Sequence, residues 1–272
     1  MKRFALGLSL FVSGAIALAG DPVAGEKKAI PAPEITPVSN SVVKVEPAVN
    51  APESWAKAYA EAKTTYAKTR DYSGHMIRQD RVGGKVQTEQ TAEIRVRVEP
   101  FAIATLTLAP KALFGQEICF ASGKKEDKVR VKPAGIAGVA GFLSVAADDA
   151  KAMVESKQTI LNTGMHGVMK RIDAALEAEK TAKFTPQLTV AEYKFNDRPV
   201  TKYEIYCDKA HAARYAHKMV VYIDNEFKLP VRFEAYDAPK TGTSDKGGEL
   251  IECVSFVNLK LNGGLGDATF DK

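Results

Sequence analysis

The chain has 272 residues, 45% of them apolar, 8% aromatic and 26% charged, which excludes a chain too polar to bury a core. Its formal charge of +5 is spread over the whole length, which excludes the concentrated basic patch of a nucleic-acid binder.

Met1-Lys2-Arg3 is a short positive stretch, and Phe4 to Leu18 is apolar but shorter than the ~20 residues a membrane span takes. Ala17-Leu18-Ala19 fits an A-x-A cleavage site. Residues 1–19 therefore read as a signal peptide and the mature chain as a soluble exported protein, periplasmic or secreted. Cleavage removes Lys2 and Arg3 and lowers the charge from +5 to +3. No cysteine lies near the cut, so no lipid anchor is expected, and no later segment is apolar enough to span a membrane. Residues 20–51, punctuated by Pro31, Pro33, Pro37 and Pro47, read as a Pro/Ala-rich disordered linker.

A single domain is expected over 52–272. Trp55, Tyr59, Ala62 and Tyr66 share one helical face, which predicts a helix from Glu53 to Lys68. A strand starts at Asp71 and turns at Gly83-Gly84, a pair suited to the positive φ values of a tight hairpin. Ala92, Ile94, Val96 and Val98 then alternate with Glu93, Arg95, Arg97 and Glu99. Between Pro100 and Pro110, Ala102, Ala104, Leu106 and Leu108 continue that apolar face on a third strand. Such alternation predicts a sheet with one buried and one wet face. Short strands follow at 117–122 and 128–132. The glycine-spaced run 135–141 reads as a mobile surface loop, and an irregular stretch continues to about Asn162.

Met165, Val168, Met169, Ile172 and Leu176 mark a second helix, with Thr163 as its N-cap. Beyond Pro186 the period returns to two, and strands are expected at 188–195, 201–207, 218–223, 230–236 and 250–261. Sequential antiparallel strands with two helices give an α+β class, a broad curved sheet with two helices to cover its apolar face.

The search for chemistry finds little. None of the common nucleotide, hydrolase or zinc-protease motifs occurs. His75, His166, His211 and His217 have no carboxylate or cysteine at metal-ligand spacing, and Asp148-Asp149 reads as a solvated turn. No cofactor, metal or catalytic residue is expected. A hydrolase would need a polar group in the cavity, such as His75 near Asp80. Of Cys119, Cys207 and Cys253, the last two lie in strand-like runs, and either a Cys207–Cys253 disulfide or two buried thiols fits them.

The apolar faces are the informative feature. Ile94, Val96, Leu106, Leu108, Val221 and Phe233 are the expected sheet wall, and Met165, Val168, Met169 and Ile172 the expected cover. Two flexible methionines suit a cavity for variable apolar ligands; a filled core is the plain alternative.

Tyr72-Ser73-Gly74, Arg78-Gln79-Asp80-Arg81-Val82 with the Gly83-Gly84 turn, and Arg95 through Phe101 carry a resemblance. So do Asn162-Thr163-Gly164, Leu229-Pro230-Val231-Arg232-Phe233 and Phe256-Val257-Asn258-Leu259. On these residues the chain, over about 53–272, resembles an exported bacterial family of unknown function with the LolA-like lipoprotein-carrier fold. The resemblance implies an unclosed β-barrel with helices plugging its open side. It also implies a non-enzymatic binding protein for a lipid, acyl chain or lipoprotein. Relatives of that fold also act as envelope-stress sensors, so the alternative is a protein-interaction module with no bound lipid. Its partners would be a hydrophobic ligand or an envelope protein, and no nucleic acid.

Overall fold

The computed structural model describes residues 30–37, 51–147, 149, 156–207, 214–240 and 247–272. The stretch read as a signal peptide, most of the segment read as a linker, Asp148 and His211 lie outside the described residues.

Thirteen strands form one sheet: β1 (Ile35–Pro37), β2 (Asp71–Val82), β3 (Lys85–Val86), β4 (Gln90–Arg97), β5 (Ala102–Ala109), β6 (Glu117–Ala121), β7 (Val129–Lys132), β8 (Leu143–Val145), β9 (Gln187–Phe195), β10 (Arg198–Tyr206), β11 (Lys218–Asp224), β12 (Pro230–Tyr236) and β13 (Leu250–Leu261). Among the described residues two α-helices accompany it, α1 (Ala51–Lys68) and α2 (Met165–Ala182). The sheet runs β1-β9-β10-β11-β12-β13-β2-β4-β5-β6-β7-β8, with β3 folded back on β2, and every pairing is antiparallel. It curves without closing, because β1 and β8 end the order and do not pair with each other. This is the α+β half-barrel expected. Ile35–Pro37 pair with Phe195–Tyr193, so three residues of the segment read as linker extend the sheet.

The hairpin glycines adopt the predicted geometry, with φ of 59° at Gly83 and 78° at Gly84. The helix cap does not follow the expectation. Gly164, at φ 97°, precedes α2 without a side-chain cap, and Thr163 Oγ1 donates to Thr159 O. The Tyr72 hydroxyl does the capping, accepting from Met165 N at 2.9 Å. One turn on, a Cβ at Gly167 would stand 1.7 Å from the Asn162 carbonyl oxygen, so only glycine admits the chain folding back there.

The inner face carries the main core. Tyr72, Met76, Ile94, Val96, Ile103, Phe120, Tyr203, Val221, Phe233 and Phe256 meet Trp55 and Tyr59 of α1 and Met165, Val168, Met169 and Ile172 of α2. The outer face differs from the expectation of a wet surface. Ile77, Phe195, Val200, Val220, Tyr222, Val231 and Val257 form a second buried cluster there. Met219 through Ile223 are accordingly apolar without alternation, as a strand buried on both faces requires. Basic stems help to cover this side, with Lys202 over Tyr193 and Lys218 over Tyr236.

The disulfide is absent: Cys119, Cys207 and Cys253 are all free. Cys207 follows β10 and Cys253 lies in β13, three strand spacings apart, or about 14 Å at ~4.8 Å each. A disulfide needs Cα atoms within about 7 Å. Burial pushes the Cys119 thiol up to about 11 and the Cys253 thiol up to about 12, so both stay protonated at neutral pH.

Candidate functional site

The structure brings eight of the ten expected cavity residues together and sends two elsewhere. Ile94, Val96, Met165, Val168, Met169, Ile172, Val221 and Phe233 belong to one cluster, the most exposed being Met169 at 7%. Leu106 and Leu108 lie on the opposite face, half-buried. The register explains why. Ile103 pairs with Val96 and Thr105 with Ile94, so the odd positions of β5 face inward and the leucines outward. Alternation along β5 was read correctly, but its phase was reversed.

The eight are packed against one another in the buried core. The inner face does hold one small hollow of about 30 Å³ between Met76, Ala92, Thr105, Ile118, Ile160 and Thr163. That is room for a water or two.

Polar contacts tie the cover to the sheet. Arg171 of α2 reaches Glu252 of β13 at 2.5 Å, with side-chain exposures of 11% and 3%. The guanidinium also lies over the Phe233 ring. Burial raises the Glu252 carboxyl above its usual range, against the pull of Arg171, and nearby Asp80 raises it further. Residues 156–158 close over this pair. Arg78 donates to Ser156 Oγ at 2.7 Å, Lys157 N to Asp80 Oδ2 at 3.1 Å, and Gln158 to Glu252 at 3.3 Å. Toward the C-terminal end of α2, Arg214 meets Glu179 at 3.0 Å; near its start, Tyr59 of α1 donates to Met169 O. His75 and Asp80, five residues apart on β2, face opposite sides of the sheet, so the pair a hydrolase would need is not assembled. Among the described residues no three His, Cys, Asp or Glu side chains are placed to hold a metal ion.

His166 is half-buried at the start of α2, its ring edge-on to Phe101 at 4.5 Å and its Nε2 2.5 Å from Leu161 O. Burial lowers its pKa, and Lys170 and Arg171 push the same way. The folded protein therefore binds fewer protons here than the unfolded chain below the ordinary value of 6.5. This contribution to stability is present above pH 6.5 and is lost as pH falls. A His166→Gln variant, followed by urea unfolding at pH 7.5 and 5.0, is expected to lose less stability on acidification than the wild type. An equal loss in both would remove His166 as the titrating group.

The exposed apolar groups gather at one rim. Val86, Phe114, Ile136, Val139 and Leu143 are the exposed large hydrophobics among the described residues, with Ile136 at 92% and Val139 at 85%. The registers Arg81–Val86, Thr91–Ala109, Glu117–Lys132 and Val131–Leu143 place all five at the sheet end where β2 runs into its hairpin. The 135–141 run is not a structureless loop but a 3-10 turn over Gly135–Ala140. A Cβ at Gly138 would come 2.3 Å from the Pro133 carbonyl oxygen, and Gly135 and Gly141 take φ of 61° and 84°. The glycines thus shape a tight platform that turns Ile136 and Val139 outward. Sequence reasoning missed these residues, although two apolar side chains between three shaped glycines were a signal.

Fold and rim together define a half-barrel domain with an apolar core on its concave face and an apolar end. Its family is one of unknown function: the chain belongs to DUF1571, whose model matches residues 69–272. No curated protein matches the sequence. Among solved structures the chain is similar to the Mycobacterium tuberculosis lipoprotein LppX at 11% identity and TM-score 0.46, covering 80% of this chain and 99% of that one. It is also similar to the Pseudomonas aeruginosa MucA/MucB complex at 15% identity and TM-score 0.43, covering 79% and 61%. A LolA superfamily protein from Nitrosomonas europaea gives 12% identity and TM-score 0.30, covering 80% and 97%. Likeness at these scores carries no functional argument. No helix among the described residues is long and apolar enough to cross a membrane.

Proposed function

We propose that this is an exported, non-enzymatic binding protein that engages an envelope protein through its apolar rim. The observation that carries this reading is the exposure of Ile136 and Val139 on a glycine-shaped platform, while the residues expected to line a cavity are buried in one cluster. Side chains this apolar and this accessible mark a surface that is covered in use. A photo-crosslinking residue at position 139 of the exported protein is expected to trap one defined protein partner in the intact envelope. The same group at Lys125, on the turn at the other end of the β6–β7 hairpin, is expected to trap none. Ile136→Asp with Val139→Asp should reduce capture from a neighbouring crosslinker at Leu143 at least tenfold without lowering stability. Lipid adducts at position 139, or equal capture at both sites, would overturn the reading.

A second reading keeps the concave face as an acyl-chain site. It is favoured by the cover, in which α2 turns the flexible Met165 and Met169 toward the sheet. An acyl chain would have to displace α2 to enter. Burial at about 0.8 kcal/mol per CH₂ would supply the driving force. Native mass spectrometry of the exported protein, followed by organic extraction, decides this: a co-purified lipid mass supports the second reading, and an apo mass unshifted by added fatty acids removes it.

A further inference from the structure

We infer that the outer face carries a separate pocket for a small uncharged amphiphile at the rim opposite the apolar platform. A hollow of about 260 Å³ opens there between the end of β9, the β11–β12 turn and β13. Phe195, Phe227, Val231, Val257 and Leu259 supply its apolar lining. Phe195, Val231 and Val257 belong to the second buried cluster, so the pocket sits on a preformed apolar base.

Its polar edge is fixed. Asp224 is fully buried and accepts from Arg198 twice, at 2.6 and 3.0 Å, and from the backbone N–H of Glu226 and Phe227. Arg198 also donates to Glu226 at 2.9 Å and lies over the Phe227 ring at 4.0 Å. These bonds hold the guanidinium at the pocket's edge while leaving its Nη1 without a partner among the described residues. Asn196 and Asn258 complete the lining.

The charges select the ligand. Asp224 and Glu226 together outweigh Arg198 by one negative charge, which disfavours an anionic head. A cationic head meets the adjacent guanidinium, and the buried Asp224 carboxylate is already engaged by Arg198 and two backbone N–H groups. An uncharged head that accepts one hydrogen bond, such as a ketone, ester or lactone carbonyl, fits the free Nη1 donors. The volume suits a body of roughly eight to twelve heavy atoms, since an apolar cavity of about 150 Å³ holds benzene. The pocket shares no residue with the platform and only Phe256 with the buried residues of the inner core, and it uses none of the residues expected to line an acyl-chain site, so it stands whether or not either earlier reading does.

The test uses three probes with the same chain, 2-octanone, octanoate and octylamine, titrated into the mature protein and followed by two-dimensional amide NMR. Saturable shifts confined to Phe195, Asn196, Arg198, Phe227 and Leu259 are expected with 2-octanone. Affinity should be about tenfold weaker for both charged probes, which must desolvate a charge. Leu259→Trp, at a half-buried edge position, should fill the hollow and abolish those shifts. If that variant does not fold, contacts from 2-octanone protons to Phe227 and Val231 in the wild type replace it. Scattered shifts, no saturation, or equal affinity for the three probes would overturn the proposal.

Discussion

Replacing Glu252 by leucine is expected to lower stability by about 3–5 kcal/mol, because it leaves Arg171 charged and buried without a partner. For a domain of this size such a loss moves the melting temperature by on the order of 10 °C. Arg171→Met should cost a similar amount by stranding the carboxylate. The double variant Arg171→Met with Glu252→Leu should be more stable than either single variant, since no uncompensated charge remains and apolar side chains fill the space. Urea unfolding of the four proteins measures this as a double-mutant cycle. Additive single effects would mean that the two charges do not depend on each other. The contact ties α2 to β13, and Gln158 of the segment over it binds the same carboxylate, so loss of the pair should also raise amide exchange through residues 156–163.

The second large effect separates the two faces of β5. Ile103→Asp is expected to prevent folding, or to cost more than about 4 kcal/mol, because it buries a carboxylate in a filled core where nothing can pair with it. Leu106→Asp, three residues along and on the opposite face, should cost under about 1 kcal/mol, since its position is half-buried and the new carboxylate reaches water. Thermal melts of the two variants give the comparison directly. Equal damage from both would mean that β5 is not phased as the register with β4 requires. The same logic applies to Met169→Asp. With Met169 packed in the core, the charge strikes the whole domain and not a ligand site alone.

Much of the architecture was legible because it is written in local period. The four-residue spacing of Trp55 and Tyr59 and the α2 stripe from Met165 to Ile172 gave both helices. Strict alternation gave β4, and the glycine pair gave the β2–β3 turn. β12 and β13 were read to their end residues. Each follows from backbone geometry that a few neighbouring residues impose. The family was legible too, from motifs spread over most of the domain.

What the local pattern could not carry was anything set by a partner distant in the chain. Alternation in β5 is the same whichever face is inward, and only the pairing of Val96 with Ile103 chose. Cys207 and Cys253 looked alike in sequence, but the strand order put two strands between theirs. The outer apolar cluster, the Arg171–Glu252 tie and the pocket beside Arg198 each join segments far apart in the chain. The apolar rim exists because register carries the β2–β3 hairpin and the loops after β5 and β7 to one end of the sheet. Sequence determined the elements and the class of this protein, since short-range sterics and side-chain period specify them. Tertiary structure alone decided which faces are buried, which charges pair and which apolar residues remain exposed, since those depend on long-range pairing.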